Sequence, residues 1–191
     1  MIPTSDQAIS LWETYSLPEQ KQKHSLLVAS VALWLATQIE QHTKTHIAKE
    51  LVYVAGLVHD IDKNIPWKTG ETHPDAGVRM LRSLGYDEVA TLVQKHPLHA
   101  ILDPVLAPVT LEEKILYLAD KMTKYEVLSV DERFSLWRAE SLTPKEQSIL
   151  DAAYPKVKQL ESEICDMIQM SPDEMINICK NAILQKERDM I

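Results

Sequence analysis

In the stretch AGLVHDIDK, residues 55–63, an apolar segment is followed directly by a His-Asp pair. Apolar residues recur at helical spacing before this pair, which predicts a helix over residues 46–60. Residues 61–72 contain a proline and a glycine and predict a loop. The pattern therefore places the imidazole of His59 and the carboxylate of Asp60 where a buried helix meets a loop.

The same periodicity, with capping and helix-breaking residues, divides the rest of the chain into helices. The chain has 191 residues, only 4 of them glycine, and its few β-branched runs leave little material for a sheet. The sequence therefore predicts an all-α fold. Further helices are predicted over residues 4–15, 19–42, 73–84, 87–96 and 110–128, and two more begin at Thr143 and Ser171.

A break near residues 130–142 is predicted to separate two parts of the chain. Residues 1–130 would form the core domain, and residues 131–191 a C-terminal helical extension packed on that core. Apolar positions of the last helices, Met175 and Ile178 among them, would lie in the core or on a dimer face. A homodimer is therefore left open.

Composition excludes several classes of function. The formal net charge is -8, which argues against nucleic acid or an anionic membrane surface as the partner. The two cysteines, Cys165 and Cys179, form no CxxC pair and indicate neither a zinc ribbon nor a disulfide scaffold. No secretory leader and no membrane-spanning stretch is evident. We expect a cytoplasmic protein with reduced thiols.

Histidines and carboxylates at predicted helix ends are candidate metal ligands. Asp120 follows the apolar run 115–119, and burying a lone charge there would be too costly without a partner or a metal ion. Imidazole and carboxylate without thiolate suit Fe, Mn, Co, Ni or Zn, with Mg also allowed. One bridging carboxylate with several imidazoles could hold two ions. A single histidine such as His24 is more often a hydrogen-bonded core residue, and His42 and His46 fit a solvated turn.

These residues, in this order, resemble the HD-domain superfamily of metal-dependent phosphohydrolases. The strings AGLVHDIDK and HPDAGVRML (73–81) resemble its HDIG-type subgroup, and His96 and LADK (118–121) fit that subgroup's last two elements. The resemblance covers roughly residues 20–128 and implies an HD-domain helical bundle. The stretch HPLH (96–99) lacks the His-Thr-Thr-Gly of the dinucleoside tetraphosphatase branch.

The resemblance also implies a role for each matching residue. The first metal ion would be held by His24, His59, Asp60 and Asp120, and Asp60 would bridge to a second ion completed by His73 and His96. Lys63 would contact the substrate phosphate. Asp62 stands where glycine is common in the subgroup. Either Asp62 or a histidine that is not a metal ligand would help to protonate the leaving oxygen. His99 and Lys121 are further candidates for substrate binding, and the alternatives for His99 are a replacement metal ligand or a surface residue.

The function expected from the resemblance is hydrolysis of a phosphoester or phosphoanhydride bond by metal-activated water. The substrate would be a small phosphorylated molecule, expected to be a nucleotide. Two alternatives stay open, the first of which would use nearly the same metal ligands. One is a di-iron oxygenase of the HD type, and the other is a non-catalytic sensor that binds a nucleotide.

Overall fold

A computed structural model of the chain describes residues 1–189, with side chains through residue 185. The described residues form an all-helical fold, in which the only β-type pairing is an isolated bridge between Thr123 and Val127. The predicted fold class is therefore confirmed. The nine α-helices of this part are α1 (Ser5–Thr14), α2 (Glu19–Thr43), α3 (Lys49–Val58), α4 (Asp75–Ser83), α5 (Asp87–Lys95), α6 (Leu111–Lys121), α7 (Val130–Arg138), α8 (Pro144–Ile168) and α9 (Pro172–Asp189).

Helices α2 and α3 form the centre of the molecule and pack at very short range. A Cβ atom placed on Gly56 in α3 would lie 2.6 Å from the Cα of Ala29 in α2, so the residue must be glycine for the two backbones to approach this closely. Helix α1 covers the same region, where Trp12 donates its indole N–H to the carbonyl of Leu57 at 2.8 Å. The residues that follow α3 are thereby fixed relative to α2.

Two short 3₁₀ segments connect the helices, and the first of them replaces part of the predicted loop at residues 61–72. One spans Ile61–Asn64, directly after the His-Asp pair, and the other spans Leu98–Leu102. Helix α4 packs against the first segment, and a Cβ on Gly77 would lie 3.0 Å from the Cγ2 of Ile61. This close packing fixes the chain between the end of α3 and the start of α4.

The structure corrects the sequence prediction in the region after α6. Helix α6 ends at Lys121 rather than near residue 128, because the chain turns there and Leu128 donates its N–H to the carbonyl of Met122 at 2.7 Å. Helix α7, which was not predicted, lies within residues 130–142, and its capping box is formed by Ser129 and Glu132.

The last two helices pack on the earlier ones. Helix α8 contacts α2, α6 and the segment Leu98–Leu102, and α9 contacts α2 and α8. On α9, Met175 and Cys179 are buried, whereas Ile178 is exposed. The division into domains at residue 130 stays a prediction.

No helix among the described residues is both long enough and apolar enough to cross a membrane.

Candidate metal centre

The carboxyl ends of three helices bring the predicted ligands together. His59 and His96 are the residues that cap the C-terminal ends of α3 and α5, and Asp120 lies in the last turn of α6. Asp60 follows His59 directly. The other two predicted ligands are His24, in α2, and His73, two residues before α4 begins.

The first group of potential ligand atoms comes from α2, α3 and α6. The Nε2 atoms of His24 and His59 lie 3.1 Å and 3.5 Å from the same carboxylate oxygen of Asp120. His59 Nε2 is also 3.9 Å from Oδ2 of Asp60. His24, His59 and Asp60 each offer an atom within 4.8 Å of the other two.

The second group shares Asp60 with the first. Nε2 of His73 lies 3.6 Å from Oδ1 of Asp60 and 3.0 Å from Nε2 of His96. Atoms of Asp60, His73 and His96 again lie within 4.8 Å of one another. One carboxylate thus lies between two sets of imidazoles, which is the arrangement required of a bridging ligand.

Hydrogen bonds on the far side of each ring fix how the four imidazoles face the centre. The Nδ1 of each ring lies beside an oxygen that can only accept, so Nδ1 carries a proton and Nε2 points inward. The acceptors are the carbonyls of Gly56 for His59 (2.8 Å), Val93 for His96 (2.6 Å) and Lys124 for His24 (3.3 Å), and the carboxylate of Asp62 for His73 (2.9 Å).

Four Nε2 atoms and two carboxylates therefore converge on one small volume. The Nε2 of His59 is buried and has no hydrogen-bond partner, and a buried polar atom of this kind normally has one. The inward-facing atoms are lone-pair donors that repel one another unless positive charge lies among them. The donor set fits one or two transition-metal ions.

The electrostatics of the site point the same way. Burial disfavours ionisation of Asp60, yet the positive charges of His59, Lys63 and Lys21 hold the pKa of this carboxyl well below its usual range. Burial would likewise lower the pKa of His59, but Asp60 and Asp120 raise it instead. The site thus attracts positive charge, whether that charge is a proton or a metal ion. Burial holds the pKa of His96 well below its usual value, leaving a neutral imidazole.

The other predicted site residues lie around the same centre. Lys63 Nζ is 3.4 Å from Oδ1 of Asp60. Lys121 is buried and donates to the carbonyl of His96 at 2.6 Å and to Asp120 at 2.5 Å. Asp62 is fully buried behind His73, with its oxygens on Nδ1 of that ring. His99 lines the cleft described next, and burial lowers its pKa.

A cleft of about 830 Å³ opens over the centre. Its walls include predicted metal ligands, the predicted substrate-binding residues, and several residues that the sequence prediction missed. Lys21 could have been found from its position one turn before His24 on α2, the spacing that puts two side chains on one helix face. The further missed lining residues are Thr72, Arg133, Trp137, Thr143, Lys145, Glu146 and Ile149.

The histidines assigned to a solvated turn lie away from the centre. His42 is exposed and its ring pairs with the carbonyl of Gln38 at 2.9 Å. His46 is 90% exposed, with its ring 3.2 Å from Glu40.

Fold and site together define an all-helical protein with a clustered His/Asp centre suited to metal ions. The HD domain family matches residues 22–125, which is more than half of the chain and includes every predicted metal ligand. The chain belongs to the HD domain family.

A relative in Methanocaldococcus jannaschii, an uncharacterized protein, is 32% identical over 115 residues. The match covers 54% of this chain and 66% of that protein, just under two thirds of its length. No solved structure matches the chain.

Proposed function

We propose that this protein is a metal-dependent phosphohydrolase that cleaves a phosphoester or phosphoanhydride bond in a small phosphorylated substrate, a nucleotide. The observation that carries the proposal is the convergence of four Nε2 atoms on Asp60 and Asp120 at the base of a cleft. Lysines stand beside those carboxylates, where a phosphate would need positive charge. Membership of the HD domain family supports the same chemistry.

The residues proposed to hold the metal fall into the two groups that share Asp60. His24, His59, Asp60 and Asp120 would hold one ion, and Asp60, His73 and His96 a second. When bound, the metal supplies an activated water and offsets the negative charge that develops on the phosphoryl oxygens. Fe, Mn, Co, Ni and Zn suit this donor set, and Mg is also allowed.

The lysines are proposed to bind and orient the phosphate. Lys21 and Lys63 contact the two oxygens of Asp60, at 2.8 Å and 3.4 Å, and both line the cleft. A metal ion held by Asp60 would neutralise that carboxylate, and both ammonium groups could then turn toward a phosphate. His99, neutral at physiological pH and facing the cleft, can donate or accept a hydrogen bond from the substrate.

Asp62 is proposed to act through His73. Its two oxygens lie 2.9 and 3.0 Å from Nδ1 of His73, so the carboxylate fixes both the tautomer and the orientation of the ring. That Asp62 also protonates the leaving oxygen stays a prediction.

The cleft volume favours a substrate of nucleotide size. A cavity of about 830 Å³ lies within the range of about 300–1,000 Å³ usual for small-molecule sites. Lining groups such as Leu98, Trp137 and Ile149 give it an apolar portion away from the carboxylates.

The test is elemental analysis of protein purified without chelators, with a Mn²⁺-supplemented screen for phosphate release from nucleotides. We expect one or two equivalents of transition metal and phosphate release. Asp60→Ala should abolish both, because it removes the ligand shared by the two groups. His42→Ala, whose side chain is exposed, should change neither.

The same measurements separate the alternatives. Bound iron with oxygen consumption and no phosphate release would favour the oxygenase, and nucleotide binding without turnover would favour the sensor. Full activity in Asp60→Ala, or no bound metal under any condition, would refute the proposed centre.

A further inference from the structure

We propose that Arg133 and Trp137 of α7, with Lys124, form a second anion-binding subsite that takes a phosphate of the substrate other than the one that is cleaved. The inference rests on the proposed function and narrows its substrate to molecules with at least two phosphate groups, such as nucleoside diphosphates.

A second cavity of about 280 Å³ lies beside the metal cleft. The two cavities share four lining residues, so the smaller one is a side chamber of the site rather than a separate pocket. The shared residues are Lys21, His24, Arg133 and Trp137. A ligand held at the metal centre can therefore extend into the chamber.

The charge of the chamber suits an anion. Its walls carry the cations Lys21, Lys124 and Arg133 against one carboxylate, Glu140, which already pairs with Lys124 at 3.3 Å. The net balance of these side chains is positive, although the whole chain has a formal net charge of -8. The positive charge is thus concentrated where a substrate phosphate would enter.

Arg133 differs from the neighbouring cations in its hydrogen bonding. Lys21 is paired with Asp60 and Lys124 with Glu140, whereas Nε and Nη1 of Arg133 are buried without any acceptor. Burying guanidinium donors unpaired costs free energy, and an anionic ligand group in the adjoining chamber would offset that cost.

Trp137 holds the guanidinium in place. The guanidinium carbon of Arg133 lies 3.9 Å from the centre of the Trp137 ring, one helical turn along α7. This stacking leaves the edge of the guanidinium, where its N–H groups lie, as the part that can bind oxygen. A planar fork of this kind matches a phosphate better than a lysine does.

The two α7 residues of the subsite, Arg133 and Trp137, lie outside the region that matches the family, whereas Lys124 lies just inside it. The family match ends at residue 125, and α7 begins at Val130. The metal centre is therefore built by the matched region, and the chamber that selects the second phosphate is completed by the segment that follows it.

The experiment compares two ligands on the Mn²⁺-loaded protein by calorimetric titration. Adenosine α,β-methylene diphosphate, which resists hydrolysis between its phosphates, carries a second phosphate, and AMP does not. We expect Arg133→Gln to weaken binding of the diphosphate by about tenfold or more, because charge-assisted hydrogen bonds to its second phosphate are lost. The affinity for AMP should change little. Metal content should stay at the wild-type level.

The matched control is Arg138→Gln on the same helix. Arg138 lines neither cavity and lies on the ring of Tyr154, 3.8 Å from Asp151, so both affinities should be unchanged. Lys124→Gln provides a second test that leaves the Arg133–Trp137 stack intact, and it should also weaken the diphosphate selectively.

The outcomes separate this inference from the proposed function. If binding of the diphosphate depends on Arg133 but no turnover is found, the subsite is supported and the proposed hydrolase function is refuted. If the protein releases phosphate but neither Arg133→Gln nor Lys124→Gln weakens binding of the diphosphate, the subsite alone is overturned. An equal loss of affinity for AMP and for the diphosphate would overturn it too.

Discussion

The close approach of α2 and α3 makes Gly56→Ala a sensitive test of how the metal centre is built. The added Cβ would lie 2.6 Å from Cα and 2.9 Å from N of Ala29, both backbone atoms that cannot rotate away. Ordinary contacts begin at 3.4 Å, so the helices would have to separate by about 0.8 Å along this part of their contact. His24 and His59 lie on opposite sides of that contact and would move apart with it.

The expected change in the free energy of unfolding is the difference between two opposing contributions. Overpacking a core costs about 1–3 kcal/mol, and a contact with backbone belongs at the upper end of that range. Replacing glycine by alanine within a helix stabilises the helix by about 0.5–1 kcal/mol. A net loss of about 2 kcal/mol corresponds to a fall in Tm of about 4–8 °C for a chain of this size. A displacement near 1 Å at the ligands can reduce activity about a hundredfold.

Thermal unfolding and metal analysis of the purified variant measure both effects. Ala29→Gly should not rescue Gly56→Ala, because the clashing atoms belong to the backbone of residue 29. Gly70→Ala serves as a control, since nothing lies within 4 Å of its Cβ and any loss there reflects only the positive φ of 86°. A Tm at or above that of the wild type for Gly56→Ala would refute the reasoning.

Three further predictions concern single side chains. Asp62→Asn should lower metal affinity about tenfold or more, because the carboxylate orients His73, and competition titration would measure the loss. Glu113 pairs with Lys95 at 2.8 Å, and although burial opposes ionisation, this pairing lowers its pKa below the ordinary 4.5. The stability contributed by Glu113 is therefore complete above pH 4.5 and is lost as the pH falls through the lowered pKa, so the unfolding curves of wild type and Glu113→Gln should converge in acid. Burial raises the pKa of the Cys179 thiol to about 12, so alkylation at pH 8 should be slow until the protein unfolds.

Each of these has a clear contrary result. Unchanged metal affinity in Asp62→Asn would mean that the ring of His73 needs no orienting partner. A stability deficit of Glu113→Gln that persists undiminished in strong acid would remove the ion pair as its cause. Rapid modification of Cys179 in the native protein would contradict the burial of α9 against its neighbours.

The sequence predicted the helices best where capping residues mark their ends. Helix α1 begins after Thr4, α8 after Thr143 and α9 after Ser171, each as the capping signal indicated. The predicted end of α6 was wrong because neither glycine nor proline marks the true end. The turn after Lys121 depends on contacts made by the folded chain. Helix α7 was missed although Ser129 and Glu132 form the same capping signal.

The candidate metal ligands could be named from sequence because they follow one another in a recognisable order. The residues of the side chamber could not be named from sequence, because Arg133 and Trp137 belong to no motif and meet His24 only in the folded chain. The placement of Asp62 behind His73 also needed the structure: adjacency to Asp60 indicated a carboxylate near the site, but not which atom it would contact.

The helix ends that carry His59, His96 and Asp120 have a consequence for the order in which ligands bind. The carboxyl end of an α-helix carries the negative pole of its macrodipole, equivalent to about half an elementary charge. Three such poles meet the charges of Asp60 and Asp120 in one place. Lys21, Lys63 and Lys121 offset part of this negative charge. Under the proposed function, bound metal ions would offset the rest. We therefore expect phosphate to bind weakly before the metal does, and a chelator added first should weaken substrate binding as well as turnover.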